Sequence, residues 1–393
     1  MHIIIHRGTH QIGGIATEIS TSTTRILIDM GDELSLNPDY VSAPLSIPGV
    51  TDINGNCDAV LFTHYHGDHT GQLPLIRDDI LMYAGALAKE VMLMSAARTN
   101  PHDHHLCDRI RTIHTFTGGE PFTIGDIQIT PWSIDHSACD SYMFLIEAEG
   151  KRILYTGDFR MHGFRGHVLS KILRKIGKVD VLITEGTTLS RPDTKPMTEH
   201  ELQQKIKEYI AQYKYVFVLC ASTNLERICG FSKAVPRGKY FVCDEYQYGL
   251  LELMEKHWRQ YSPLYRNIKK TSYGDNILDK LCDRGFLMTV RDNPKFRNIL
   301  SKFNPAESII LYSMWGGYRA KPNSTIPAFL DLIGNWETLH TSGHASQSDI
   351  RTLIDITKPD TIIPIHTDRP EVLQEICSEE KTITVHDGEE IVI

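Results

Sequence analysis

Four side chains able to bind a metal ion crowd into six positions, His64-Tyr65-His66-Gly67-Asp68-His69, which supply three imidazoles and one carboxylate. The run directly follows the apolar stretch Ala59-Val60-Leu61-Phe62, so it stands where a buried strand gives way to a loop, a place from which a rigid scaffold presents function. Side chains alternate along an extended chain, which sends His64 and His66 to one side and lets Asp68 and His69 turn to the other. One short loop can then offer two nitrogens to one metal ion and a carboxylate with a nitrogen to a second. Imidazole and carboxylate together suit zinc, with manganese or iron as alternatives. A merely polar surface loop gives no reason for so many ligands to gather behind a buried strand.

Such a loop needs a sheet behind it. Short β-rich runs at 25–28, 59–62, 127–130 and 142–146 alternate with turns, and the last pairs with 152–155 across Glu149-Gly150-Lys151 as a hairpin. The chain starts Met1-His2-Ile3-Ile4-Ile5-His6, which reads as a first strand and is far too short for a signal-peptide apolar region. Helical stretches fall near 85–98 and 167–176. This mixture predicts sheets layered with helices, an α/β or α+β domain.

From about 198 the pattern changes. A helix over 198–212, a strand at 215–219, a helix near 224–234, a strand at 240–242 and a helix near 245–259 have the rhythm of a parallel sheet with crossover helices. Arg191-Pro192-Asp193 reads as the linker into this second domain. The stretch 260–305 is polar and weakly patterned, and it yields no assignment. Short strands return near 336, with a strand at 338–340, a helix over 346–357, an apolar strand at 361–365 and a closing hairpin up to Ile393. The expected organisation is therefore a first domain over 1–192 and 336–393, interrupted by a second over 193–335.

Bulk composition is that of a globular protein: 393 residues, 41% hydrophobic, 23% charged, with no run long and apolar enough for a membrane helix. No membrane association is expected. Eight cysteines stand apart with no Cys-x-x-Cys pair, so neither a disulfide framework nor a zinc finger is indicated, and a cytoplasmic setting is expected. A net charge of −8 opposes charge-driven adhesion to nucleic acid. Carboxylate ligands are counted in that sum, however, and two divalent cations would return four positive charges where a phosphate must sit.

The run at 64–69 resembles in full the His-x-His-x-Asp-His loop of the metallo-β-lactamase superfamily, and the other motifs of that family follow in order. Asp29 in Leu27-Ile28-Asp29-Met30-Gly31 is similar to its early buttressing aspartate, His136 in Ile134-Asp135-His136-Ser137 to its later histidine ligand, and Asp158 in Tyr155-Thr156-Gly157-Asp158 to its bridging carboxylate. Asp135 is read as a neighbour of the ligand, and His102-Asp103-His104-His105, after Asn100-Pro101, as a solvated loop. Beyond Asp158 the resemblance narrows to the β-CASP branch, nucleases with an inserted domain. Glu185 in Thr184-Glu185-Gly186, His344 in Ser342-Gly343-His344-Ala345 and His366 in Ile365-His366-Thr367 match three further motifs of that branch, and Ala221-Ser222-Thr223-Asn224 is similar to a turn of its ribonuclease J-like members.

That resemblance implies a fold and a reaction. The fold would be a metallo-β-lactamase αββα sandwich interrupted by a β-CASP domain with a mainly parallel sheet flanked by helices. His64, His66, His136 and Asp158 would hold one divalent ion, and Asp68, His69, Asp158 and His366 the other, with Zn2+ as first choice and Mn2+ second. A metal-activated hydroxide would hydrolyse a phosphodiester, Asp68 taking part as ligand and catalytic carboxylate. His344 would act as general acid. Ser342 and Gly343, with His344, would bind the phosphate just before the helix that the capping box Ser346-x-x-Asp349 begins. Asp29 and Glu185 would orient ligands from behind.

A histidine at the third motif is typical of RNA-processing members, whereas DNA-acting members tend to have valine, so His366 implies a ribonuclease acting on single-stranded RNA. A DNA nuclease of the same branch, a non-catalytic RNA-binding subunit and a small-molecule metallohydrolase are the alternatives. Met314-Trp315-Gly316-Gly317-Tyr318-Arg319 offers aromatics on which bases could stack, with burial in the core an equal reading for Trp315. Ribonuclease J proper carries a further C-terminal domain that has no counterpart after His366, which leaves the oligomeric state open.

Overall fold

Apolar residues recurring at every second position can be buried on both faces of a sheet only if each face is covered, and three sheets here solve that problem in layers. The computed structural model describes residues 1–35, 37, 40–377 and 381–393. Its first seven-stranded sheet runs, edge to edge, Glu390–Val392, His2–Arg7, Ala16–Ser20, Arg25–Ile28, Ala59–Leu61, Leu81–Gly85 and His114–Phe116. The second runs Lys381–Thr382, Thr361–Ile365, Val181–Glu185, Lys151–Tyr155, Ser141–Ala148, Ile127–Ile134 and Phe122–Ile124.

Alternation joins the two. Ala59 and Leu61 of the first sheet share a buried cluster with Ile153, Tyr155, Val181, Ile183 and Ile363 of the second. Val60 and Phe62 face the opposite way, against helix Ala86–Thr99, while Leu154, Leu182 and Ile362 pack on helices Gly166–Ile176 and Gln347–Thr357. Helix, sheet, sheet, helix is the resulting order.

The third sheet has six strands, all parallel, in the order Thr271–Ser272, Tyr240–Cys243, Phe286–Val290, Tyr215–Leu219, Ser308–Tyr312 and Trp336–Thr338. Val216 and Val218 belong to the same buried cluster as Val60 and Phe62, which makes the third sheet's layer continuous with the first sandwich. Phe217 and Leu219 point to the other face, under helices Leu278–Arg284 and Pro294–Leu300. The expected α/β sandwich and the mainly parallel sheet are thus both present.

Several expectations need correction. The unassigned stretch 260–305 contains Phe286–Val290, every residue of it buried, in the middle of the third sheet. Its polar flanks hid it, because the apolar run spans only five residues. The strand expected at 338–340 lies at Trp336–Thr338 and pairs within the third sheet, past the expected boundary at 335. Among the described residues no closing hairpin forms: Lys381–Thr382 joins Thr361–Ile365, whereas Glu390–Val392 joins His2–Arg7 in the other sheet. His104 and His105 start a helix, His104–Thr112, capped by the Asp103 carboxylate on the Leu106 N–H, although they remain exposed as expected.

Candidate metal centre

Parallel strands carry successive chain segments to the same edge, and the residues in question sit just past those ends. Asp29 follows Arg25–Ile28, and His64 follows the parallel neighbour Ala59–Leu61. Asp158, Glu185 and His366 lie at the ends of Lys151–Tyr155, Val181–Glu185 and Thr361–Ile365, again mutually parallel. Asp29 and His366 turn out of their strands through left-handed backbone, with φ of 61° and 53°. Such conformations cost energy in a residue with a side chain and persist where surrounding structure enforces them. Gly31 permits a still tighter approach, since a Cβ there would lie 1.6 Å from the carbonyl oxygen of Asp68.

One carboxylate oxygen is the focus. Oδ2 of Asp158 lies 3.3 Å from Nε2 of His69, 3.7 Å from Nε2 of His136, 3.7 Å from Nε2 of His366 and 3.9 Å from Nε2 of His64. Asp68 Oδ2 is 3.2 Å from His366 Nε2, and His66 Nδ1 is 3.2 Å from His136 Nε2. Two sets therefore converge, His64 with His66 and His136, and Asp68 with His69, Asp158 and His366; within each the ligating atoms lie within 4.8 Å of one another. A third set on the same side, Asp158, Glu185, His344 and His366, meets the same criterion.

The far side of four of these rings is held. His69 Nδ1 donates to Asp29 Oδ2 at 2.8 Å, and His136 Nδ1 donates to the Gly343 carbonyl at 2.7 Å. Thr63 Oγ1 is 3.0 Å from His64 Nδ1, and Thr187 Oγ1 is 2.7 Å from His366 Nδ1. Fixing Nδ1 fixes both tautomer and ring orientation, so each Nε2 lone pair is turned toward the centre. Thr63, Thr187 and the Gly343 carbonyl escaped sequence reasoning, since a threonine next to a strand end carries no distinguishing signal.

The residues fit metal ions on grounds internal to the structure. Nε2 of His64, Nε2 of His69 and both carboxylate oxygens of Asp158 are buried without a hydrogen-bond partner. Buried polar atoms are rarely left unpaired, and unpaired lone pairs converging from several elements are what a cation satisfies. Protonation states of His64, His66, His136, Asp68 and Asp158 agree. Burial, reinforced by neighbouring imidazoles, holds His64 well below the ordinary histidine range, and burial likewise brings His66 to about 4 and His136 well down. These rings are neutral and free to ligate near neutral pH. Burial alone would raise Asp158 and Asp68, but the histidines around them keep both carboxyls below their usual range. His69 moves up against burial because Asp158 and Asp29 flank it.

Beside this cluster lies a second group. His344 Nδ1 is 3.0 Å from Glu185 Oε2 and 3.5 Å from Asp158 Oδ2. Burial works against a charged ring, yet Glu185 and Asp158 push His344 up to about 9. Glu185 Oε1 accepts from the Phe159 N–H at 2.8 Å, so that carboxylate is fixed at both ends. Ser342 Oγ accepts from the His344 N–H at 3.1 Å, and the capping box expected from sequence is present, with Ser346 and Asp349 exchanging bonds at the start of Gln347–Thr357. Asp135 is turned away from the centre and binds Arg160 at 2.7 Å.

An αββα sandwich with histidines and carboxylates converging at the strand ends defines the class, a metallo-β-lactamase type of hydrolase fold with a metal centre. Residues 24–214 match the β-lactamase superfamily domain, and residues 333–386 match the RNA specificity domain of Zn-dependent metallo-hydrolases. These two matches support membership of the metallo-β-lactamase superfamily, in its β-CASP branch. It is 28% identical over 215 residues to an RNase J-like protein of Methanocaldococcus jannaschii, covering 52% of this chain and 48% of that one. It is 27% identical over 199 residues to endoribonuclease ysh-1 of Neurospora crassa, covering 46% and 23%. Ribonuclease J of Mycoplasma genitalium aligns along 91% of this chain and 66% of its own length at 22% identity. The first two matches thus span about half or less of those relatives. A crystal structure of a protein of unknown function from Enterococcus faecalis V583 has the same fold, with a TM-score of 0.79 and 20% identity over 100% of this chain and 99% of that one.

Proposed function

We propose that the chain is a two-metal phosphodiesterase acting on single-stranded RNA. The observation that carries this reading is Asp158, a buried carboxylate with four imidazole Nε2 atoms within 3.9 Å and no hydrogen bond of its own. His64, His66, His136 and Asp158 would hold one ion, and Asp68, His69, Asp158 and His366 the other, with zinc favoured by the nitrogen-rich donor set. Divalent ions there would polarise the phosphodiester and activate water for attack.

The chain's own groups do the rest. His344, kept protonated by Glu185, is placed to give its proton to the leaving oxygen. The Ser342 hydroxyl accepts from the His344 N–H and keeps its own O–H for a phosphate oxygen; Gly343 lets the backbone approach. Asp29 and Glu185 orient His69 and His344. Beside His344 opens a cavity of about 550 Å3 whose walls include Arg191, Lys195, His340, Ser342 and Gln347, cationic and polar groups suited to a sugar-phosphate chain. At its rim the Arg191 guanidinium lies 5.7 Å from the ring of Trp315, which is 41% exposed, so Trp315 is not a core residue. An exposed indole next to an arginine offers a face on which a base can stack.

RNA is favoured over DNA by the match at 333–386 and by the names of the relatives. Residues 193–335 are taken as the inserted part and 1–192 with 336–393 as the sandwich; the third sheet supports an inserted part there but carries it on to Thr338 through its strand Trp336–Thr338. Among the described residues no helix is long and apolar enough to cross a membrane. Incubating zinc-loaded protein with labelled single-stranded RNA and a DNA of the same sequence tests the reading. RNA cleavage is expected, and cleavage of the DNA alone would refute the assignment.

A further inference from the structure

Behind the metal centre three arginines and three carboxylates are enclosed together. Asp135, Arg160, Glu199, Glu226 and Arg227 are each no more than 1% exposed. Arg160 reaches Asp135 at 2.7 Å and Glu199 at 2.8 Å; Arg227 reaches the same oxygen of Glu199 at 2.6 Å. Arg165 pairs with Glu226 at 2.8 Å, and Tyr265 donates to that carboxylate. Charges balance three against three, as burial demands.

Two of these arginines, Arg160 and Arg227, also reach one short segment. Arg227 Nη2 donates to the Thr341 carbonyl at 2.8 Å, and Arg160 Nη1 donates to the Ser342 carbonyl at 3.1 Å. The next carbonyl, that of Gly343, is the one that receives His136 Nδ1, and the next residue is His344. Glu199 opens helix Glu199–Gln212 and Arg227 lies on helix Leu225–Ala234, whereas Arg160 follows Asp158 by two residues. A carboxylate from one part of the chain thus grips two arginines from two others, and both hold the loop that orients a ligand.

We propose that Glu199, acting through Arg160 and Arg227, is a positioning residue: it fixes the backbone at 341–343 so that Gly343 keeps His136 turned to the metal centre and His344 stays on Glu185. This rests on the metal-binding reading of the centre. It separates from a purely structural role because buried ion pairs can often be replaced by apolar side chains of similar volume without loss of stability. Positioning cannot be replaced that way.

The neutral double variant Glu199→Leu with Arg227→Met removes one charge of each sign and leaves Arg160 on Asp135. Its zinc affinity, read by competition with a chelator, is expected to fall about 10- to 100-fold, the range found when groups supporting ligands are lost. On bis(p-nitrophenyl) phosphate kcat should fall by a similar factor, while the melting temperature stays close to that of the parent. A folded double variant with parental zinc affinity and kcat would overturn the proposal. Should that variant fail to fold, Arg227→Lys keeps the charge but loses the planar fork whose Nε and Nη2 grip Glu199 while Nη2 also holds the Thr341 carbonyl; the same losses are expected, smaller, and parental values again overturn it. A parent protein that binds zinc but leaves RNA intact would refute the ribonuclease reading while the zinc comparison still decides this one.

Discussion

Glu185 and His344 are 159 positions apart in sequence, yet Oε2 of the first lies 3.0 Å from Nδ1 of the second. The pair is placed so that the ring's other nitrogen is free for substrate. Replacing His344 by Ala, or Glu185 by Gln, should lower kcat by about 100- to 10,000-fold, the usual worth of a positioned acid. Metal content should be unchanged in both, as measured by elemental analysis, since neither side chain is assigned as a metal ligand.

Ligand variants should behave in the opposite way. His66→Ala and Asp68→Asn are expected to lose bound metal together with activity while retaining parental circular dichroism. Full metal occupancy with undiminished turnover would contradict the ligand assignment.

Much of this cluster was legible in the sequence because its candidate ligands follow apolar strands in chain order. His64, His66, Asp68, His69, His136, Asp158 and His366 all converge. What supports them was not legible. Thr63 and Thr187 look like any strand-end threonine, and the partners of Glu199 come from positions 160 and 227, a pairing that only the packed helices create. In the fold, Phe286–Val290 was missed because a fully buried strand shows no alternation, and two polar helices flank it.

Gly31→Ala tests how closely the backbone supports the loop. The added methyl would collide with the carbonyl of Asp68, which a backbone shift alone can relieve. Destabilisation of about 1–3 kcal/mol is expected in thermal melts, together with weaker zinc binding.

Trp315→Ala removes a contact rather than chemistry. It should raise KM for a single-stranded RNA, consistent with about 1–3 kcal/mol per stacked base, and leave hydrolysis of bis(p-nitrophenyl) phosphate unchanged. Equal loss on both substrates would mean that the indole serves the fold.

The acid limb of stability gives a further test. Burial would raise the Glu199 carboxyl, but Arg227 and Arg160 outweigh it and lower the group from 4.5 to about 2. A carboxyl depressed in the folded state stabilises fully above its unfolded value and loses that contribution as pH falls through the folded one. The metal-free parent should therefore lose an amount on the order of 3 kcal/mol from this group between pH 5 and pH 2. Glu199→Gln, with no carboxyl to titrate, should be less stable than the parent at pH 6 and close the gap as pH falls, as followed by urea unfolding. A gap independent of pH would contradict the assignment.

The central claim is a metal-dependent ribonuclease, and the most direct measurement follows one labelled single-stranded RNA with the zinc-loaded protein, with the chelated protein and with the protein reloaded after chelation. Cleavage that vanishes on chelation and returns on reloading is the predicted result. RNA left intact by protein carrying two zinc ions per chain, or cut equally well after complete chelation, would contradict it.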